Sequence, residues 1–267
     1  MKKKKNNKNY LYAIPYGVFM FIFIVLPLFI LFVYSFTKRG TAGTLTTEFT
    51  FKNYAAVFTP IYLKVLGRSI WLGIVSTIIC FLIGYPTAYF LANKKYNKSK
   101  MLIMLFIIPM WMNFLLRTLA TKAFFNSIHF PLGIGAIIIG MTYNFLPFMV
   151  IPIYNSITKI DNSLYEAAID LGASSFKTFI KVVLPLSKPG ILSGITMVFT
   201  PTITTYVISD MLSNRKVALI GNMIDLNIVH QNYNVASAIS FIILIFIFAS
   251  MVLLRKFDQS TNEGGLN

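Results

Sequence analysis

Acidic side chains are scarce in this chain: eight Asp and Glu stand among 267 residues, against 24 Lys and Arg. Charged residues of both signs make up only 12%, while 56% are hydrophobic. Soluble globular chains carry about a quarter charged residues, so much of this surface must face something other than water. Lipid is the simplest covering. Cysteine is scarcer still, with Cys80 alone in an apolar run. No internal disulfide can form, and a lone buried thiol packs as a small apolar group. His129 and His230 have no Cys or carboxylate at ligand spacing, which excludes the usual metal-site patterns. No G-x-x-x-x-G-K-[ST] phosphate loop occurs, and Gly133-x-Gly135 lacks the lysine such a loop needs. The chain has no standard means of binding ATP and no nucleophile–base constellation.

What is abundant is apolar length. A helix needs about 20 apolar residues to cross a bilayer core, and six segments qualify: 12–36, 65–91, 101–120, 132–153, 189–208 and 235–254. None alternates as a strand would, and each is apolar on most faces. The expected fold is therefore an all-α integral membrane protein of six transmembrane helices, one permease-like domain over 1–267 with its core at about 65–254. Lys2 to Lys5 ahead of an apolar run could open a signal peptide. That run is too long for one, however, and no small-x-small site follows it, so it reads as a retained span.

The formal net charge of +16 would point to nucleic acid on a soluble protein. Here the basic residues sit in clusters between apolar spans, where they set topology and argue against nucleic-acid binding. With the N-terminus inside, inner segments hold 15 Lys and Arg and outer segments 9. Both termini are expected in the cytoplasm of a bacterial cell, with the membrane crossed six times. Outside, residues 51–58 have the spacing of a short surface helix, closed by Pro60.

The inner segment 155–188 is too long for a turn. Ser163 and Glu166 stand at capping-box spacing, and Leu164, Ala167, Ala168 and Leu171 form one apolar face. Gly172 can take the left-handed conformation that ends a helix. A second helix is predicted from Ser174 or Ser175 to Leu184, stopped by Pro185. An amphipathic loop of purely structural purpose would share these features. A two-turn helix is marginal alone, though, and its small alanines suit close approach of another surface.

Glu166-Ala167-Ala168, Asp170, Gly172 and Leu184-Pro185 resemble the EAA loop of ABC importer permeases, with Val182 where that family usually has isoleucine. Wider matches resemble the B-type permeases of spermidine/putrescine importers. They include Asn53-Tyr54, Pro60-Ile61-Tyr62, Gly84-Tyr85-Pro86 and Pro109 to Asn113 with Arg117. Leu146 to Val150, Asp170 to Ser174, Ser209 to Leu212 and Ile220-Gly221-Asn222 extend the likeness over nearly the whole chain. The resemblance implies a coupling helix gripped by a cytosolic ATPase. It also implies a second homologous permease, two ATPase subunits that bind ATP and Mg, an extracytoplasmic substrate-binding protein, and a polyamine substrate. No cofactor is expected on this chain, which is not itself an enzyme.

A polyamine crossing a low-dielectric region needs carboxylates, aromatic faces and polar acceptors in place of water. Asp210 is the leading candidate, because it follows the polar stretch 200–209, where Pro201 should kink the span. Its alternative is a cap at the helix C-terminus, which the macrodipole disfavours. Trp111, Asn113, Tyr143, Tyr206 and Tyr85 complete the candidate route, each also readable as packing or as an interhelical hydrogen bond. Arg117 has no place in this reading of the sequence. Two rival functions remain: the same machinery with another small solute, or a stand-alone secondary carrier, which predicts inverted repeats and intramembrane acids.

Overall fold

A computed structural model describes residues 9–40, 45–93 and 101–263. The basic clusters at Lys2 to Lys8 and Lys94 to Lys100, on which much of the topology argument rests, lie outside the described residues. The chain is helical almost throughout. Four helices are long and apolar enough to cross a membrane, and six spans result when each of two bent pairs is counted as one.

The contacts divide into two compact units. The first comprises residues 1–60 and 224–245. Its opening helix α1 runs through Asn9–Met20, a wider π-register segment Phe21–Val25, and Leu26–Phe36. A short hairpin follows, β1 (Thr37–Arg39) antiparallel to β2 (Leu45–Phe49), which helical periodicity did not foreshadow. The short helix anticipated near 51–58 is present as α2 (Lys52–Val57).

The carbonyls that end α1 cannot be satisfied within it, and two distant asparagines supply the donors. Asn53 Nδ2 donates to Ser35 O and Thr37 O, each at 2.9 Å. Asn234 Nδ2 donates to Tyr34 O at 3.0 Å and Thr37 O at 2.8 Å. In the hairpin Lys38 pairs with Glu48. The hydrogen bond from Lys38, followed by its charge, holds the Glu48 carboxyl below its ordinary range.

The second unit comprises residues 61–223 and 246–267. Pro60 opens helix α3 (Pro60–Ala92), where its missing N–H costs nothing. The third predicted span is broken. Helix α4 (Met101–Trp111) and helix α5 (Phe114–Ser127) meet at 95°. Pro109 weakens the end of α4, and Asn113 starts α5 afresh by accepting from Leu115 N–H at 2.9 Å. Helix α6 (Ile134–Ile157) is the most buried span. It packs against α9 (Lys188–Thr204) through a close small-residue approach. A Cβ at Gly190 would come within 2.4 Å of Ser156 Cβ and 2.7 Å of the Pro152 carbonyl oxygen, and one at Gly194 within 2.8 Å of Met149 Sδ. Gly190 and Gly194 form the G-x-x-x-G spacing that lets membrane helices touch backbones.

Between α6 and α9 lie α7 (Asn162–Asp170) and α8 (Ser175–Leu186), the latter with a π-register middle at Phe179–Val183. After α9 come α10 (Val207–Leu212), α11 (Ile220–Val229) and α12 (Tyr233–Glu263). Helices α11 and α12 each have one end in the first unit and the other in the second.

Candidate functional site

The segment singled out at 155–188 holds two capped helices joined at Gly172. The cap of α7 is Asp161, not the predicted Ser163: the Asp161 carboxylate accepts from Ser163 N–H at 3.0 Å. That backbone hydrogen bond, with one from the Ser163 side chain, holds the Asp161 carboxyl below its ordinary range. Asp161 stands two residues earlier than the capping box assumed, which leaves Glu166 exposed and free of the capping task. The far end of α7 closes as anticipated. Gly172 takes φ +80°, Gly172 N–H donates to Ile169 O at 2.8 Å, and Ala173 N–H donates to Ala168 O at 3.0 Å. This is the paired closure in which a left-handed glycine satisfies the last carbonyls. Helix α7 buries none of its residues, and Leu164, Ile169 and Leu171 stand exposed, Leu171 at 89%.

Ser174 caps α8 by accepting from Lys177 N–H at 3.3 Å. Pro185 does not stop α8 at Leu184. It occupies the first turn of a renewed α-helical stretch after the π segment, where no N–H is needed, and the helix ends at Leu186. A bend of 64° then leads into α9. At the bend Ser187 Oγ donates to Leu184 O at 3.1 Å and accepts from the Tyr85 hydroxyl at 2.8 Å. Since the serine has one proton and gives it to the carbonyl, Tyr85 is the donor. Tyr85 is buried and packs edge-on against Phe179. It therefore joins α3 to the bend between α8 and α9.

The other residues proposed for the route lie on or beside α4, α5, α6 and α10. Helix α9 ends at Thr204, earlier than predicted, and the extended Thr205 (φ −66°, ψ 136°) separates it from α10. Asp210 thus does not cap the end of the fifth span, because it belongs to the new helix α10. Thr202 and Thr204 return their hydroxyls to carbonyls of the preceding turn, which leaves less polar lining than the sequence promised. Asp210 Oδ1 accepts from Asn222 Nδ2 at 2.5 Å, and Asp210 Oδ2 lies 3.6 Å from Nε of the exposed Arg215. Asn222 Oδ1 in turn accepts from Ser209 Oγ and Leu219 N–H, both at 2.7 Å. Tyr206, part-exposed, occupies the joint just before α10.

Helix α10 packs against α5 and α6, and these two helices carry a residue that sequence reasoning left unplaced. Arg117 is only 5% exposed. Its Nε donates to Asn144 Oδ1 at 2.6 Å, Nη1 to Pro109 O at 2.9 Å and Nη2 to Asn144 O at 3.4 Å. Asn144 is aimed by its own Nδ2, which donates to Gly140 O at 2.8 Å. The guanidinium lies 5.9 Å from the centre of the Tyr143 ring, which is half exposed. Trp111 stands 85% exposed at the end of α4, and Asn113 is the cap of α5. A lone arginine within an apolar span, eight residues after a proline, was the signal available for this cluster.

The sequence profile of the family described as "Binding-protein-dependent transport system inner membrane component" matches residues 84–263. The chain is 36% identical over 263 residues to the "Spermidine/putrescine transport system permease protein PotB" of Escherichia coli K12, covering 89% of this chain and 96% of that one. The protein of the same name from Haemophilus influenzae is 34% identical, with 90% and 93% covered. Among solved structures, a bacterial ABC transporter involved in the import of the acidic polysaccharide alginate superposes with a TM-score of 0.70 at 15% identity, covering 94% of this chain and 95% of that one. The MetNI methionine ABC transporter in an inward-facing conformation gives 0.63 at 18% identity, with 76% and 99% covered.

Proposed function

Since the chain belongs to the family of inner membrane components of binding-protein-dependent transport systems, we propose that it is the permease subunit through which an ATP-driven importer carries spermidine and putrescine into the cell. A second homologous permease completes the pathway. Two cytosolic ATPases bind ATP and Mg, and an extracytoplasmic binding protein delivers the substrate. Both termini lie in the cytoplasm, and residues 1–267 act as one permease domain. The polyamine assignment draws on relatives that bear spermidine and putrescine in their names and cover most of this chain.

The observation that carries the mechanism is α7. It is a capped helix that buries nothing of itself and holds Leu164, Ile169 and Leu171 out to solvent in a chain otherwise built for lipid. Exposed apolar side chains on a two-turn helix call for a partner surface. Glu166, Ala167, Ala168, Asp170 and Gly172 form the part gripped by the ATPase. Leu184 and Pro185 carry its displacement to the bend at Ser187, and Gly190 and Gly194 pass it on to α6. Substrate moves past Asp210, Trp111, Tyr143, Tyr206 and Asn113, where a carboxylate, aromatic faces and an amide replace the water around each ammonium. Tyr85 is assigned to this route with its ring at the bend.

The test is cross-linking and uptake in one preparation. Leu171→Cys in the assembled importer should cross-link to the ATPase, and vesicles should accumulate labelled spermidine but not phosphate when ATP is supplied. A Leu171→Cys thiol that labels freely from the extracytoplasmic side would overturn the assignment of α7. Accumulation of phosphate in place of spermidine would overturn the substrate.

A further inference from the structure

Arg117 is a permanent cation buried inside a span, and such a residue normally meets a carboxylate. Among the described residues no salt bridge to Arg117 is recorded, and its recorded hydrogen-bond acceptors are neutral: the side chain and carbonyl of Asn144 on α6, and the carbonyl of Pro109 on α4. The three donors thus leave α5, on which Arg117 stands, for the helices on either side of it in sequence. They span the 95° break at Met112 and Asn113, where the last backbone hydrogen bond runs from Met112 N–H to Pro109 O at 3.3 Å and α5 begins anew at Asn113. Lysine could not do this, because it offers a point charge where guanidinium offers a planar fork with donors on separate nitrogens.

We infer that Arg117 is a positioning residue for the substrate route: its fork clamps Pro109 to Asn144, fixes the break in the third span, and so holds Trp111, Met112 and Asn113 out from the unit while seating Tyr143. The role in transport rests on the proposed permease function; the clamp itself rests on geometry alone. Arg117 touches no substrate in this scheme. Its positive charge is incidental to the clamp, and the directions of its donors are what count.

The native thiol makes the test simple. Cys80 is fully buried, so a bulky maleimide should not reach it, and Met112→Cys, at a position 52% exposed, should report on the break alone. In the reconstituted importer, Arg117→Gln and Arg117→Lys should both slow labelling of the Met112→Cys thiol. Without the fork, the Asn144 side-chain oxygen loses its donor, Pro109 O keeps only Met112 N–H, and the turn settles inward over the vacated space. A change of about tenfold is expected, the effect of losing one buried hydrogen bond. Leu171→Cys labelling should stay unchanged, and KM for spermidine should rise more than kcat falls. Asn144→Ala, which removes only the side-chain acceptor, should act in the same direction and serves if the arginine variants do not assemble.

Unchanged or faster labelling in Arg117→Gln would overturn the clamp. Full recovery of labelling and KM in Arg117→Lys would overturn it as well, by showing that charge suffices. Slowed labelling with KM unchanged would overturn the role in transport while leaving the permease reading to stand on ATP-driven uptake.

Discussion

At the residue scale, the shift from Ser163 to Asp161 as the cap of α7 changes what the helix senses. A serine cap is indifferent to pH, whereas a carboxylate cap is not. The folded-state pKa of Asp161 lies below its ordinary value of 3.8, because the charged form accepts from Ser163. A depressed pKa contributes stability above the unfolded value and loses it as pH falls through the folded one. Amide protection at Ser163 should therefore hold down to the ordinary Asp range and fall below it, as hydrogen exchange can measure. Asp161→Asn should remove that pH dependence while keeping the cap, since asparagine caps equally well; Asp161→Ala should lose protection at every pH. Asp210 makes a second prediction. Asp210→Asn keeps an acceptor for Asn222 Nδ2 and so should leave assembly intact, yet it removes the one carboxylate among the residues proposed for the route. KM for spermidine should rise about tenfold, the scale of one lost charge-assisted contact. Uptake at the native KM would remove Asp210 from the route. Neither the Asn222 partner nor the Arg215 neighbour could be read from the sequence, because both approach across a turn built on left-handed Asn214 and Arg215.

At the element scale, Gly172 is the hinge between α7 and α8, and its φ of +80° is one that β-branched residues pay for with about 1–3 kcal/mol of strain. Gly172→Val should leave ATP hydrolysis by the complex in place and lower transport per ATP several-fold, since the lever then meets its partner at the wrong angle. Gly172→Asn should retain most coupling, because asparagine visits that conformation readily. The ratio of uptake to hydrolysis decides between these outcomes. Gly190 tests the next joint: no side chain fits against the Pro152 carbonyl, so Gly190→Val should cost about 1–3 kcal/mol by overpacking, seen as a lower Tm of the purified complex. Long apolar runs made most spans legible, and Gly172 was legible from its place after an apolar face. The breaks were not. The third span was expected to run unbroken through Pro109, and the proposed hold on the 95° turn is Arg117 reaching Asn144, a contact 27 positions away that no local pattern encodes. The G-x-x-x-G spacing at 190–194 was present in the sequence, though hydropathy, which scores apolar length, is blind to it.

At the scale of the whole molecule, the distribution of acids bears on the proposed source of energy. None of the described helices that could cross the membrane contains an Asp or Glu within its spanning segment, from Ile14–Phe36 through Pro60–Ala92, the two bent pairs and Ile134–Ile157 to Tyr233–Leu254. A secondary carrier that couples uptake to protons needs ionisable groups within its spans to take up and release them. Asp210, on the short helix beyond the fifth span, is hydrogen-bonded to Asn222. The sequence also has no phosphate loop, which favours the proposal that the work reaches the chain mechanically, through the exposed face of α7. Spermidine uptake into vesicles loaded with ATP should therefore persist when a protonophore collapses the gradient. It should stop when ATP is omitted or when the ATPase partner is left out of the reconstitution. A proton-coupled carrier would give the reverse pattern, with uptake abolished by the protonophore and indifferent to ATP.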